Sequence, residues 1–503
     1  MSVIYGRVVS YILSEYFGPV VEKVGTYLFK FKSSPLLYIK RGTDLPLSKI
    51  KESLCILIKY GLVTFKPNKN ENIANYTLDT EKVLLIIRYP KYLNLAKKQL
   101  GDESEMIIEE LLQRGYWTAS ELVLKVFERT SKTEVAVSLS QIKDKVIYLI
   151  TSKYLTRVPY ATDENPVPRL QVKLEELHSL PNIDIKVLVA HQANSTEEFP
   201  DKDIYWTVNF DRFHQDMRDQ LLVAAVVQKF DAMTGDIFSL FLKQMYIRTE
   251  PWADVSNPVP ALEIKDILKR QNNQQLLAFF DQYLNIIEQD NSKLIRKAGE
   301  ASGGSYQIYL KEGVTHLIWE LIEQIVTEKF DTKAARIFRL IKSKPYIEPD
   351  LIQQQAMIPA KEAKRLSYQL YEENFLRIQE IRKMSSNSGP TKNFTLFYIQ
   401  LEQVARMVLE MCYKTLFNTF TRRVHEKFVN KRIIDKKQRV DTIAMGMRSQ
   451  GASQEQLADI EEMITPPEKE ILERIEKVVK KLNTVELEID DTLFLLKTYL
   501  MYG

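Results

Sequence analysis

Cysteine is nearly absent. Cys55 and Cys412 are the only two in 503 residues, which excludes a disulfide framework and any cysteine-rich zinc or iron–sulfur centre within the chain. Two isolated thiols are expected to be small buried apolar side chains. Histidine is also scarce. His178, His191, His214, His316 and His425 are scattered, and none has a second ligand type at metal-binding spacing. Long apolar runs are missing too: the longest, Leu221 to Val227, falls far short of the ~20 residues a membrane span needs. Residues 1–17 lack a basic stretch followed by an apolar run, so no signal peptide is expected. The chain therefore reads as soluble and intracellular, and the Asn-x-Ser/Thr triplets at Asn75, Asn194 and Asn393 as chance matches. Excess charge of one sign is absent: 70 basic against 66 acidic residues leave +4. That balance argues against a coat-like nucleic-acid binder, so any basic footprint must be local. No nucleophile elbow, Walker motif, kinase set or acid/base pair appears. The glycine-rich GEASGG at 299–304 lacks the Lys-Ser/Thr ending that would hold phosphates and magnesium. No active site, cofactor or metal is expected.

What is present is apolar residue in regular spacing. At 45% hydrophobic the chain builds proper cores, enough for about three to five domains of ~100–150 residues. Residues 331–399 carry the pattern that organises the rest. Ala334, Ile337, Phe338 and Ile341 share one face of a first helix. Pro349 opens a short second helix and Pro359 a third, where a missing N–H costs nothing. Ala363, Leu366, Leu370 and Phe375 form the third helix's buried stripe. Leu376, Ile378 and Ile381 then alternate with polar residues as a strand, Met384 to Lys392 is a turn tip, and Phe394 to Ile399 is the returning strand. Three helices followed by a two-stranded polar wing make a winged helix.

The unit repeats. LSKIKESLCILIKYGLV at 47–63 aligns with LSQIKDKVIYLITSKYL at 139–155, a period that is a whole domain rather than a solenoid repeat. The expected class is mainly α with small β wings: four tandem extended winged helices followed by a C-terminal antiparallel helical coiled coil. The boundaries expected are 1–100, 101–179, a polar, Pro-punctuated linker at 180–203, then 204–312 and 313–400, with the tail at 401–503. Within the first copy, the helix over 82–100 is expected to break near Arg88-Tyr89-Pro90. In the second, Thr118 to Glu121 reads as a capping box, and Leu155–Val158 with Arg169–Leu174 as the wing. In the tail, one helix is expected from Leu401 to about Gln450, a turn at Gly451 to Ser453, and a returning helix. Ile471, Ile475, Val478, Leu482, Val485, Ile489, Leu496 and Tyr499 fall in alternating steps of four and three, with Thr492 filling the remaining step, a heptad seam.

Winged helices offer the outer face of the third helix, or the wing, to DNA or protein. In the fourth copy that face carries Lys361, Lys364, Arg365 and Tyr368, with Arg382, Lys383 and Lys392 by the wing. In the first it carries Lys49 and Lys51, with Lys66 and Lys69 by the wing. Such residues neutralise phosphates without reading bases, and an ordinary solvated face is the plainer alternative. Glu52, Glu362 and Glu372 dilute the patches, which fits sequence-independent contact. The densest basic run lies in the tail, where Arg422, Arg423, Lys427 and Arg432 fall among few acids. It suits docking on an acidic partner surface or nucleic acid, with Ile475, Leu482 and Ile489 as apolar candidates alongside, and a solvated outer face of the hairpin is the plainer alternative.

Six stretches in order, EYFGPVVEKVG at 15–25, RYPKY at 88–92, VNFDRFHQ at 208–215, ARIFRLI at 335–341, AMIPAKEAK at 356–364 and EEMITPPE at 461–468, resemble the winged-helix C subunit of DNA-directed RNA polymerase III. That family is similar to the large subunit of the general initiation factor TFIIE. The resemblance implies a nuclear, peripheral, non-catalytic subunit. It would form a heterotrimer with two class-specific subunits, sit by the clamp of the largest subunit, and help open promoter DNA. Some members carry a basic, nuclear-signal-like insertion between the second and third copies. Here that segment holds only Lys186 and Lys202, so nuclear entry is expected to depend on partners. The other class of reading is a free-standing winged-helix transcription factor, which near-neutral charge and an elaborate tail disfavour.

Overall fold

A computed structural model of the chain describes residues 2–68, 72–131, 137–162, 166–192, 198–300, 303–383, 392–449 and 463–502. The chain divides into two units, Met1–Phe213 with Tyr413–Asp490, and His214–Cys412 with Asp491–Gly503. The architecture is mainly helical, with small antiparallel sheets, winged-helix domains and a C-terminal helical hairpin.

The winged helix of residues 331–399 forms as its spacing requires. Its helices are Thr332–Ser343, Pro349–Ala356 and Ala360–Glu372. Pro349 occupies the first turn of the second. Pro359 stands one residue earlier in its helix than expected, at the N-cap. The strands Arg377–Lys383 and Lys392–Tyr398 pair in register from Arg377 against Tyr398 to Lys383 against Lys392. A bridge from Ile347 to Phe397 adds a vestigial third strand. Ile337, Phe338, Ala363, Leu366, Leu370 and Phe375 are all buried in one core. The turn tip at 384–391 lies outside the described residues.

The same sheet plan recurs: a short strand between the first and second helices pairs with the last strand, which also pairs with the strand after the third helix. Ser33–Pro35, Ala74–Leu78 and Val63–Pro67 make one such sheet, and Val259–Pro260, Ser305–Ile308 and Ile295–Gly299 another. A third sheet departs from the expected wing. Leu155–Arg157 pairs with Tyr205–Val208, which also takes Trp117–Thr118 on its other edge. Arg169–Gln171 instead closes a separate hairpin with Tyr160–Thr162. A partner strand almost fifty residues away leaves no local periodic trace, although Tyr-Trp-Thr-Val is itself a β-forming run. The described residues of the 180–203 segment include a helix and a buried contact. Asp201 is buried and accepts the Ser120 backbone N–H at 2.8 Å, and Ile185–Gln192 is helical.

Other expectations need correction. The helix over Thr80–Leu100 is continuous through Pro90, because tertiary contacts of RYPKY, described below, hold it. A helix not anticipated, Val3–Phe17, opens the chain and buries Tyr5, Val8, Val9, Ile12 and Leu13. Cys55 is exposed and Cys412 half-buried. The first faces away from the Ile50–Leu54–Leu57 stripe of its helix. Thr118 accepts the Glu121 N–H at 3.3 Å, but the reciprocal capping box forms at Ser138 and Gln141 instead. The tail's first arm is two helices, Leu401–Val429 and Lys431–Ser449, parted at Asn430. The Asn430 side chain donates to the Glu426 carbonyl at 2.9 Å, a side-chain competitor for a backbone acceptor. The turn at 451–453 lies outside the described residues. The return arm, Pro466–Tyr502, is a single helix.

Candidate nucleic-acid interface

The third helix of the 331–399 unit turns Ala363, Leu366 and Leu370 inward, so helical geometry sends Lys361, Lys364 and Arg365 outward, and all three are exposed. Tyr368 is 42% exposed and keeps its ring edge-on to Phe397, centroids 5.7 Å apart. That contact pins the helix against the returning strand. The acids expected to dilute the face are partly spent: Glu362 pairs with Lys333 at 2.7 Å, and nearby Glu373 with Lys329 at 2.7 Å. Such surface pairs add little stability. They do cancel local negative charge, and no ion pair among the described residues engages Lys361, Lys364 or Arg365. At the wing, Arg382 stands opposite Asn393 and Lys383 opposite Lys392 in the strand register. The side chains of Arg382, Lys383 and Lys392 are not among those described.

In the first winged helix, Lys49, Lys51 and Lys66 are exposed. Lys69 lies outside the described residues. Glu52 accepts the Ser48 hydroxyl at 3.0 Å and remains on the same helix as a counter-charge.

The hairpin divides its candidates. Lys427 and Arg432 are exposed, and Arg422 reaches Glu426 along its own helix at 2.5 Å. Arg423 is buried and committed within the chain, to Glu15 at 2.6 Å, Asn483 at 3.1 Å and Glu486 at 3.2 Å. The return helix does not follow the expected seam. Ile475 is buried and Leu482 and Ile489 are half-buried, but Val485 is 38% exposed while Glu486 and Asp490 are buried at 6% and 3%. The buried stripe mid-helix is therefore ionic. Beside Ile475, a groove of about 580 Å³ is floored by Val424, Ile434, Leu472 and Val479 and edged by Lys427, Lys431 and Lys437.

The ionic stripe grips the first winged helix. Arg88 meets Asp490 at 2.8 Å and Lys91 meets it at 3.1 Å, while Lys91 also donates to the Leu487 carbonyl at 2.5 Å. Tyr89 stacks on Phe210, and Tyr92, fully buried, packs against Phe210 and Phe213. Burial alone would raise the Asp490 carboxyl, but its bonds to Arg88 and the charges of Arg88 and Lys91 hold it below the ordinary value. Glu486 goes the other way. Burial pushes it up to about 7, because Arg423 is shared with Glu15. None of these charged residues was anticipated as a contact within the chain, and Arg423, expected to dock a partner, is spent inside it. The signal was there in RYPKY, two cations and two aromatics around a proline, and in the Glu486–Asp490 spacing of one helical turn.

Four family models match in chain order. They are "RNA polymerase III subunit RPC82 helix-turn-helix domain" at residues 7–68 and "RNA polymerase III subunit RPC82" at 156–315. Further on come "POLR3C, C-terminal winged-helix domain" at 322–399 and "DNA-directed RNA polymerase III subunit RPC3, helical hairpin domain" at 432–495. The rat protein named "DNA-directed RNA polymerase III subunit RPC3" is 34% identical, with 98% of each chain covered. The human one matches equally, and the zebrafish one is 33% identical over 98% of each. The chain belongs to the RPC3 family of RNA polymerase III subunits. The family's C-terminal winged-helix match contains Lys361, Lys364 and Arg365. Its helical hairpin match contains Arg432, Ile475, Leu482 and Ile489, together with the buried Glu486 and Asp490. The RPC82 match begins on the strand Leu155–Arg157 and runs through Tyr205–Val208.

Among the described residues, no helix is long and apolar enough to cross a membrane. None of the described histidines, cysteines or carboxylates cluster in a group that could hold a metal ion.

Proposed function

We propose that this chain is a peripheral, non-catalytic subunit of nuclear RNA polymerase III that acts at initiation. It carries four winged helices, the second running to Val208, and joins two class-specific subunits in a heterotrimer beside the clamp of the largest subunit. The hairpin docks the chain on protein through Lys427, Arg432 and the apolar groove beside Ile475. Lys361, Lys364 and Arg365 track promoter phosphates without reading sequence, and Lys49, Lys51 and Lys66 supplement them. The observation that carries this reading is three exposed cations on one helix, Lys361, Lys364 and Arg365, that no ion pair among the described residues engages, in a chain that matches polymerase subunits over 98% of its length.

Depletion tests it. An extract stripped of this chain should lose promoter-dependent RNA polymerase III transcription and regain it on adding the wild-type chain. Extension of an RNA already hybridised to template should not need it. Equal loss of both activities would place the chain in elongation or catalysis. A depleted chain that elutes as a monomer or dimer, away from polymerase, would favour a free-standing transcription factor.

A further inference from the structure

The turn that leads into the basic helix is built like its counterparts elsewhere in the chain, except for one side chain. In the 331–399 unit the turn reads Met357-Ile358-Pro359-Ala360, with Pro359 as N-cap of the helix. In the first winged helix it reads Asp44-Leu45-Pro46-Leu47, with Pro46 as N-cap. Met357 and Asp44 both end the preceding helix in the left-handed conformation, each at φ 53°. The third winged helix uses Asn272 there, at φ 54°. The counterpart in the second lies within 131–138, mostly outside the described residues. Aspartate and asparagine suit this backbone because a short polar side chain tolerates it, and glycine suits it best. Methionine does not. Nor does Met357 serve the core, since it is 86% exposed, while Ile358 beside it is buried and supplies the apolar contact that closes the turn. The fold explains the left-handed turn but not the thioether on it.

The surroundings indicate what the side chain meets. Lys361 and Lys364 follow it on the exposed helix face. Arg336, exposed on the first helix, donates to the Ala356 carbonyl at 3.3 Å, which sets a guanidinium at the base of the same turn. An exposed, unbranched apolar tip in a turn between two helices that each carry exposed cations is the composition of a wedge that enters DNA between base steps while basic neighbours hold the phosphates. We propose that Met357 is such a wedge, favouring base steps already opened or easily unstacked, with Arg336, Lys361 and Lys364 on the flanking phosphates. The inference rests on the DNA-facing reading of this helix and adds a preference that phosphate contacts alone do not create.

The test uses polymerase assembled with wild-type chain or with Met357→Gly, Met357→Leu or the triple reversal Lys361→Glu, Lys364→Glu, Arg365→Glu. The DNA probes are one closed duplex and the same duplex with a short mismatched bubble. Wild type should prefer the bubble, Met357→Leu should keep that preference, and Met357→Gly should lose ~5- to 10-fold of it, the low end of what one side chain stacked on a base contributes. Met357→Gly should leave the salt slope unchanged, since no charge is removed. It should not lower the melting temperature, since glycine relieves the turn. Equal bubble preference in Met357→Gly and wild type, with a reduced slope in the triple reversal, would overturn the wedge and leave the phosphate reading standing. A slope untouched by the triple reversal would overturn both. Loss of the Met357→Gly chain from the polymerase with unchanged DNA binding would assign the side chain to a protein contact instead.

Discussion

Asp490→Ala is expected to loosen the unit formed by residues 1–213 and 413–490 by ~3–5 kcal/mol, the scale of breaking one side of a buried ion pair. The substitution takes the carboxylate away from the Arg88 guanidinium, 5% exposed, and from Lys91, which keeps the Leu487 carbonyl. Glu486→Gln, one turn earlier, should cost far less near neutral pH, because that carboxyl already holds a proton through much of the range. The signs differ with pH. Asp490 sits below its unfolded value of about 4. Its contribution is therefore present above that value and disappears as the pH falls through the lower folded one. Glu486 is raised to about 7, so the folded state binds the extra proton between its unfolded value and about 7. Its contribution is complete below the unfolded value and lost as pH rises through about 7. Glu486→Gln should flatten the decline in stability between about pH 5 and pH 8. Hydrogen exchange reads this locally. Asp490→Ala should speed exchange in Thr80–Leu100 and leave Thr332–Ser343 unchanged, and equal protection in wild type and Asp490→Ala would show that the buried pair holds nothing.

The triple reversal of Lys361, Lys364 and Arg365 to Glu should weaken promoter DNA binding of the assembled polymerase without changing sequence preference. Removing one cation from a phosphate makes the log–log salt slope shallower by roughly one, so the change should approach three. Folding should survive, because these positions lie off the buried Ala363–Leu366–Leu370 stripe. Assembly should survive too, because the hairpin supplies docking. The defect should therefore appear at promoter opening. An unchanged slope in an intact polymerase would assign the face to protein or bulk solvent.

Local patterns made much of the fold legible. Ala363, Leu366 and Leu370 predict both the helix and its inner face, and the outward placement of Lys361 follows without further information. Pro349 and the Thr118 N-cap are read from chemistry that acts within four residues. What escaped was long-range. Tyr205–Val208 pairs with Leu155–Arg157 across a segment that looks like a linker, and no local period encodes that partner. Pro90 was misleading for a related reason. Its local cost is real, but the Arg88–Asp490 pair spans 402 positions and overrides it. The heptad of the return helix contained both apolar spacing and two buried acids, and the acids acquire meaning only once Arg88 and Arg423 are placed against them. The site was legible as a charged face, and not as a turn, because exposure and backbone conformation at Met357 have no sequence signature.

The division of labour between the basic helix and the hairpin can be read in one measurement. A photo-crosslinking side chain placed at position 364, or at 428, where Phe428 is 73% exposed on the hairpin, is carried into assembled polymerase on promoter DNA. The expected result is crosslinks from 364 to DNA and from 428 to polymerase protein. Crosslinks from 364 to protein alone, with 428 on DNA, would contradict the account.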